Sequence, residues 1–317
     1  MHPRMAVSAV LALIALAACA SPAKPSAGGT VSPAAVSSTP ATPEPSLLTP
    51  TPTLQLTPSA PAPTTAQPRP PAPTVRAISC TGRIAQNRPA ATGTGPGGSV
   101  VKTGSPAVAL TFDDGPDPIN TPKILDQLKQ CGVKATFCLV GFRARDNPAM
   151  VARIAAEGHT LCNHSWQHLF DLAKRDDTYI RRDLQKTNDA IHKAAPGAKI
   201  SYFRAPGGNF TGKLVSIAQD LGMKSIYWHV DPRDWESSKY GKGTPMVNHV
   251  IAAVERDVRP GSIILSHDNG KPDTITAYRT LLPWLKARYT LIGLPELPAP
   301  PAVPPVPSPA PSPAPLP

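Results

Sequence analysis

"AVALTFDDGPDPINTPKILDQLKQCGVKATFCLV", residues 107–140, holds two apolar runs with an amphipathic stretch between them. Residues 107–112 and 134–140 carry the β-branched and aromatic side chains of buried strands. Between them, Ile124, Leu125 and Leu128 recur at helical spacing, and Pro122 suits a first helical turn. The stretch therefore reads as strand, helix, strand. The first strand ends on Asp113-Asp114, followed by Gly115-Pro116. Adjacent carboxylates repel, and they avoid a core unless paired or bound to a cation. Either this strand end carries chemistry or it only faces water.

The same unit recurs along the chain. Further strands are expected at 159–164, 201–205, 224–231, 262–267 and 289–293. Helical patterns lie between them, in "PAMVARIAAEG" (148–158), "DDTYIRRDLQKTNDAIHKAA" (176–195), "GKLVSIAQDLG" (212–222) and "PMVNHVIAAVERDV" (245–258). In "DTITAYRTLLPWLKA" (273–287), Pro283 predicts a kink or a break. Alternation of this kind means parallel strands with helical crossovers. About seven units in one short domain favour an α/β fold, a slightly reduced (β/α) barrel with about seven parallel strands, over an open sheet. No strand runs into G-x-G-x-x-G, so there is no dinucleotide-binding fingerprint.

The flanks differ in kind. Fifteen of the 42 prolines fall in residues 22–73 and twelve in 295–317. Such segments bury too little apolar surface to offset their ordering entropy. The expected organisation is a leader over 1–19, a linker over 20–77, an N-terminal arm over 78–104, a catalytic domain over 105–294 and a Pro-rich tail over 295–317. Arg4 precedes an apolar stretch, Ala6 to Ala18, too short to span a membrane. It ends "LAAC", which resembles the lipobox of bacterial lipoproteins. That resemblance makes Cys19 the lipidated residue and predicts export, with the chain anchored to the membrane and facing the cell wall. A plain signal peptide and a secreted chain is the other outcome.

Four cysteines then remain, and an exported chain allows three pairings among them. Cys138 and Cys162 lie in strands expected to be neighbours, which favours Cys138–Cys162 and leaves Cys80–Cys131 to hold the arm. No C-x-x-C pair suggests a cysteine-ligated metal. The chain carries a net charge of +11, and residues 101–294 hold 26 Lys and Arg against 19 Asp and Glu. Export argues against nucleic acid; an anionic wall or membrane surface, or simply solvated charge, fits better.

In a parallel barrel the C-terminal strand ends share one rim. To that rim the sequence brings Asp113-Asp114, His164 to His168, Arg204 with Pro206-Gly207-Gly208, Asp231 to Trp235, and His267-Asp268. His164 and His168 stand four residues apart, so on a helical turn they would share a face and hold one metal with a nearby carboxylate. Alone, such a pair is as often two surface histidines. Two imidazoles and one carboxylate with open positions form a hydrolytic zinc arrangement. His159, His192, His229 and His249 read as structural.

"TFDDGP", "HSWQH", "RAPGG", "DPRDW" and "LSH", in that order, resemble the five motifs of the NodB-type polysaccharide deacetylases, carbohydrate esterase family 4, over residues 105–293. The resemblance implies a distorted (β/α) barrel and metal-dependent removal of acetyl groups from N-acetylated sugars. It implies a divalent metal, Zn²⁺ by the donor set, on Asp114, His164 and His168. It makes Asp113 the base, Arg204 its orienting partner, His267 the acid and Asp234 the group that orients His267. The backbone N–H of Gly207 would meet the oxyanion, and Trp235 and Leu265 would wall the acetyl methyl. Family members usually carry a large residue where this chain has Gly207, so one side-chain contact to substrate is missing.

The expected partners are peptidoglycan or chitin oligomers, bound by a monomer, with the membrane reached through the lipid anchor and nucleic acid excluded. The same machinery could instead cleave O-acetyl esters on xylan, or serve as a non-catalytic wall-binding lipoprotein. A two-metal phosphodiesterase would need more ligands than three and a phosphate loop that is not evident.

Overall fold

The strand β1, Val108–Asp113, is buried along its whole length. Side chains alternate along a strand, so its two faces meet different surroundings. Val108, Leu110 and Phe112 pack into the large core beneath the helices. Ala109 joins Cys138, Cys162, Tyr202 and Ile263 in a second, smaller cluster. A strand covered on both faces is the mark of a parallel sheet flanked by helices.

This computed structural model describes residues 78–81 and 88–297. The leader with Cys19, the linker over 20–77 and the tail beyond 297 lie outside the described residues. The strands are β1, β2 (Thr136–Leu139), β3 (Thr160–Asn163), β4 (Ile200–Phe203), β5 (Lys224–Ser225), β6 (Ile263–His267) and β7 (Leu291–Ile292). They pair in the order β5-β4-β3-β2-β1-β6, with β7 beside β1, and every pair is parallel. The helices are α1 (Thr121–Gln130), α2 (Gly141–Asp146), α3 (Pro148–Ala156), α4 (Asp177–Ala194), α5 (Gly212–Asp220), α6 (Ser237–Tyr240), α7 (Thr244–Asp257) and α8 (Pro272–Arg288).

The stretch 224–231, expected as one strand, closes the barrel instead. It pairs with β4 only through Lys224 and Ser225. Ile226 then bridges Val100 of the N-terminal arm, and Val230 bridges Ile264 of β6. One segment thus touches both edges of the sheet. The result is a distorted (β/α) barrel of seven parallel strands.

Of the kink or break expected at Pro283, the break does not occur, and two short helices are added. Helix α8 runs through Pro283 without a break. An interior proline costs a helix roughly 3 kcal/mol. Here Tyr278, Leu281, Leu282 and Leu285 are fully buried, with α7 and α1 packed against the helix, and that burial outweighs the lost hydrogen bond. The short helices α2 and α6 had no sequence signal, being only six and four residues long. The structure joins Cys138 to Cys162 and Cys80 to Cys131. The first pair faces across β2 and β3 in register inside the barrel. The second fastens the arm to the end of α1, beside the Ile78 N–H that donates to Gln130 Oε1 at 3.2 Å.

Candidate active site

β1 ends at Asp113, and Asp114 adopts a left-handed backbone with φ 73°. Such a conformation is uncommon for a side-chain-bearing residue and persists only where its surroundings hold it. Plain strand alternation would send the two carboxylates apart. The turn at Asp114 brings both to one place. Asp113 Oδ2 lies 3.6 Å from His164 Nε2, and Asp114 Oδ1 lies 3.4 Å from the same nitrogen. His168 Nε2 is 3.2 Å from Asp114 Oδ1.

The two histidines do not sit on a helical turn, which is the arrangement their spacing predicted. Residues 164–170 form an irregular loop with positive φ at Ser165 and His168. Local side chains hold it in that shape. Asn163 Oδ1 accepts the Ser165 N–H at 2.8 Å, and Ser165 Oγ accepts the His168 N–H at 3.0 Å. Bonds of this kind compete with helix formation. Asp183 of α4 accepts the Trp166 N–H at 2.8 Å. Burial pushes the Asp183 carboxyl up to about 6 against that bond.

One donor atom each from Asp114, His164 and His168 falls within 4.8 Å of the others. The donors fit a divalent metal. Asp114 Oδ1 is buried and takes no hydrogen bond among the described residues. His164 Nδ1 bonds the Arg204 carbonyl at 2.7 Å, which makes it the protonated nitrogen and leaves Nε2 as a lone-pair donor. Burial disfavours an imidazolium at His164, yet the charges of Asp113 and Asp114 outweigh it, so the spot favours a cation. Burial and the neighbouring His164 lower the pKa of His168, keeping it in its ligand form. Burial works against an ionised Asp114, but the surrounding imidazoles of His164, His267 and His168 hold it well below the usual carboxylate range.

Two acid–base pairs flank this cluster. Arg204, fully buried at the end of β4, donates from Nη1 to Asp113 Oδ1 at 2.7 Å and to Thr111 Oγ1 at 2.8 Å. Its Nη2 donates to the Tyr227 carbonyl at 3.0 Å. Asp113 Oδ2 is left facing the cluster. At the end of β6, His267 Nδ1 bonds Asp234 Oδ1 at 2.7 Å, and the His267 N–H donates to Asp234 Oδ2 at 2.8 Å. Thr274 of α8 donates to the same oxygen at 2.8 Å. Burial opposes the His267 imidazolium, but the charge and hydrogen bond of Asp234 override it and raise the pKa to about 9. Burial likewise opposes the charge on Asp234, and His267 overcomes it, so the Asp234 pKa falls below its ordinary value.

A cavity of ≈ 300 Å³ joins these groups. Asp113, Asp114, His164, His168, Gly207, Trp235, Leu265 and His267 line it, so these expected site residues meet in one place. Arg204 and Asp234 stand behind it. Gly207 has φ 61° within the turn Pro206–Gly208, and its N–H has no acceptor among the described residues.

Residues 100–226 match the family of the polysaccharide deacetylases. A chitooligosaccharide deacetylase of Sinorhizobium fredii (strain NBRC 101917 / NGR234) is 37% identical over 209 residues, which cover 61% of this chain and 93% of that protein. A peptidoglycan-N-acetylglucosamine deacetylase of Bacillus cereus is 34% identical over 195 residues, covering 60% of this chain and 87% of its own. Among solved structures, a peptidoglycan N-acetylglucosamine deacetylase in complex with 4-naphthalen-1-yl-N-oxidanyl-benzamide superposes with a TM-score of 0.56 at 33% identity, over 62% of this chain and 90% of that one. The chain belongs to the polysaccharide deacetylase family. It is a hydrolase of N-acetyl amide bonds on sugars.

Several residues of the cavity carried no role in the sequence. Phe170, Trp228 and Asp231 line the cavity as well. Phe170 follows the His pair by two residues, and Asp231 opens "DPRDW", so nearness to a motif was the available signal. Trp228 had none, because its place depends on the closing segment. Asp268 is fully buried beneath the Asp113-Asp114 turn, and Thr121 of α1 donates a hydrogen bond to it. Burial lifts its carboxyl to about 7. Its N–H reaches the Asp113 carbonyl at 3.4 Å, and Asp117 Oδ2 accepts the Gly270 N–H at 2.7 Å. The loops after β1 and β6 are thus tied together. His159 is structural: its Nδ1 accepts the Ala135 N–H at 3.1 Å, and burial and Lys134 lower its pKa to about 4.

Proposed function

We propose that this deacetylase is an exported, lipid-anchored enzyme that removes acetyl from N-acetylglucosamine units of a wall polysaccharide, acting as a monomer with a divalent metal, zinc by its donor set. Peptidoglycan is the first substrate and chitin oligomers the second. One observation carries the reading. Two acid–base pairs of opposite polarity, Arg204–Asp113 and Asp234–His267, face one cavity that also holds a three-donor cluster.

In this reading Asp114, His164 and His168 hold the metal. When bound, the ion supplies Lewis acidity toward the acetyl carbonyl and lowers the pKa of a water. Asp113 Oδ2, the oxygen that Arg204 leaves free, takes the proton of the attacking water. The Gly207 N–H donates to the developing oxyanion. With Nδ1 committed to Asp234, His267 offers Nε2 to protonate the departing sugar nitrogen as its bond to the acetyl carbon breaks. Acetate and the sugar amine leave. Leu265 and Trp235 wall the methyl group.

"LAAC" at 16–19 supports a lipid anchor at Cys19, and the Pro-rich stretch 22–73 could reach up to ~160 Å into the wall. The test is acetate release from defined peptidoglycan fragments, N-acetylglucosamine oligomers and acetylated xylan, with chelator and with zinc restored. The expected outcome is zinc-restored release from the N-acetylated substrates. Release from xylan alone would make the enzyme an O-acetyl esterase. Binding without release in a zinc-loaded sample would make it a wall-binding protein.

A further inference from the structure

Among the described residues, the large apolar side chains that stand exposed are Ile119, Phe170 and Trp235. Two of them, Phe170 at 65% and Trp235 at 43% exposure, line the one cavity that holds the reacting groups. Aromatic surface left in water at a cavity mouth marks a place that a ligand covers. Arg204 holds one oxygen of Asp113, and Asp234 holds Nδ1 of His267, so the broad apolar surface open to a neutral sugar ring is that of the aromatic walls.

Phe170 is held in place rather than left loose. Its ring meets the His168 ring edge-on, with centroids 5.1 Å apart. Its carbonyl accepts the Asn209 side-chain N–H at 3.0 Å, which ties the loop after β3 to the loop after β4. Its ring also lies over Gly207. A Cβ at position 207 would come within 2.7 Å of Phe170 Cδ1, and the backbone there has φ +61°. A side chain at 207 and the Phe170 ring therefore compete for one volume, and glycine leaves it to the ring.

We propose that Phe170 is a substrate-contacting, specificity-determining residue of this deacetylase, whose exposed ring stacks on the C–H face of a pyranose of the polysaccharide chain. The proposal rests on the N-deacetylase reading above and adds the residue that selects a sugar chain over a bare acetyl group. Stacking on a pre-positioned ring loses little conformational entropy on binding, so the ring acts mainly on substrate affinity.

The test uses the full chain loaded with zinc and compares wild type with Phe170→Leu and Phe170→Trp. Leucine keeps apolar bulk against His168 and Gly207 but removes the flat face. With an N-acetylglucosamine oligomer, Phe170→Leu should raise KM about tenfold with kcat nearly unchanged, and Phe170→Trp should restore it. With 4-nitrophenyl acetate, which has no sugar, Phe170→Leu should lose much less than on the oligomer, and all three should bind one equivalent of zinc. Equal KM values for wild type and Phe170→Leu on the oligomer overturn the proposal, as does an equal loss on both substrates. A wild type that releases no acetate from the oligomer sinks the N-deacetylase reading separately. Phe170 is then judged by calorimetry, where unchanged oligomer affinity in Phe170→Leu overturns it.

Discussion

The two acid–base pairs of the cavity are built from the same kinds of group with opposite polarity. At the end of β4, a fully buried Arg204 donates to one oxygen of Asp113 and leaves the other facing the cavity. At the end of β6, a fully buried Asp234 holds an imidazole, and His267 is kept charged and able to donate. In each pair the partner sits out of reach of substrate while its client faces the cavity. The difference teaches that burial alone does not decide which charge a rim group carries. Burial opposes the charge on Asp234 and on His267, and each is kept charged by the other.

The largest test separates the adjacent aspartates. Asp113→Asn should lower acetate release by about 10³-fold while zinc stays bound, because only the proton acceptor is lost. Asp114→Asn, or His168→Ala, should lose the zinc together with the activity. Metal analysis of purified protein reads both, and near-normal turnover in Asp113→Asn removes the base assignment.

Next comes the opposite pair. His267→Asn should cost about 10²-fold in kcat on N-acetylated sugars. The deficit should shrink on an activated aryl acetate, whose leaving group needs no proton. A deficit of the same size on both substrates contradicts the role of proton donor.

Smaller in rate, but sharper in diagnosis, is the pH profile. In the proposed role His267 acts protonated, and Asp234 raises its pKa to about 9, so activity should fall as pH rises through about 9. Asp234→Asn removes the charge that raises it. The alkaline limb should then move down toward ~6.5 or below, with about a tenfold loss at neutral pH. An unmoved limb would show that another group sets it.

The smallest effect on catalysis is expected far from both pairs. Cys80→Ser with Cys131→Ser opens a link spanning 51 residues. It should lower the melting temperature by several degrees and leave kcat intact, since the bridge holds the arm rather than the rim. Calorimetry together with the acetate assay checks this.

Much of this was legible beforehand because strands and helices write their periods into the chain. Val108, Leu110 and Phe112 announced a buried strand, and Asp113, Arg204 and His267 marked strand ends that a parallel barrel gathers on one rim. The irregular parts were not legible. The convergence of Asp113 and Asp114 depends on a left-handed turn at Asp114, and that of His164 and His168 on a loop held by Asn163 and Ser165. Neither conformation has a period. Helix α8 continues past Pro283 for a different reason, because the proline sets only a local cost while the helix answers to its buried face.

The sequence by itself determined the order of the elements, the parallel sheet and the identity of the polar groups at its rim. Each follows from patterns within a few neighbouring residues. Only the tertiary structure decided that segment 224–231 closes the barrel onto β6, that Arg204 and Asp234 stand hidden behind Asp113 and His267, and that the Phe170 ring occupies the volume Gly207 leaves free. Those are contacts between residues far apart in the chain. Their energies depend on burial and on partner charge, and both come into being only when the barrel closes.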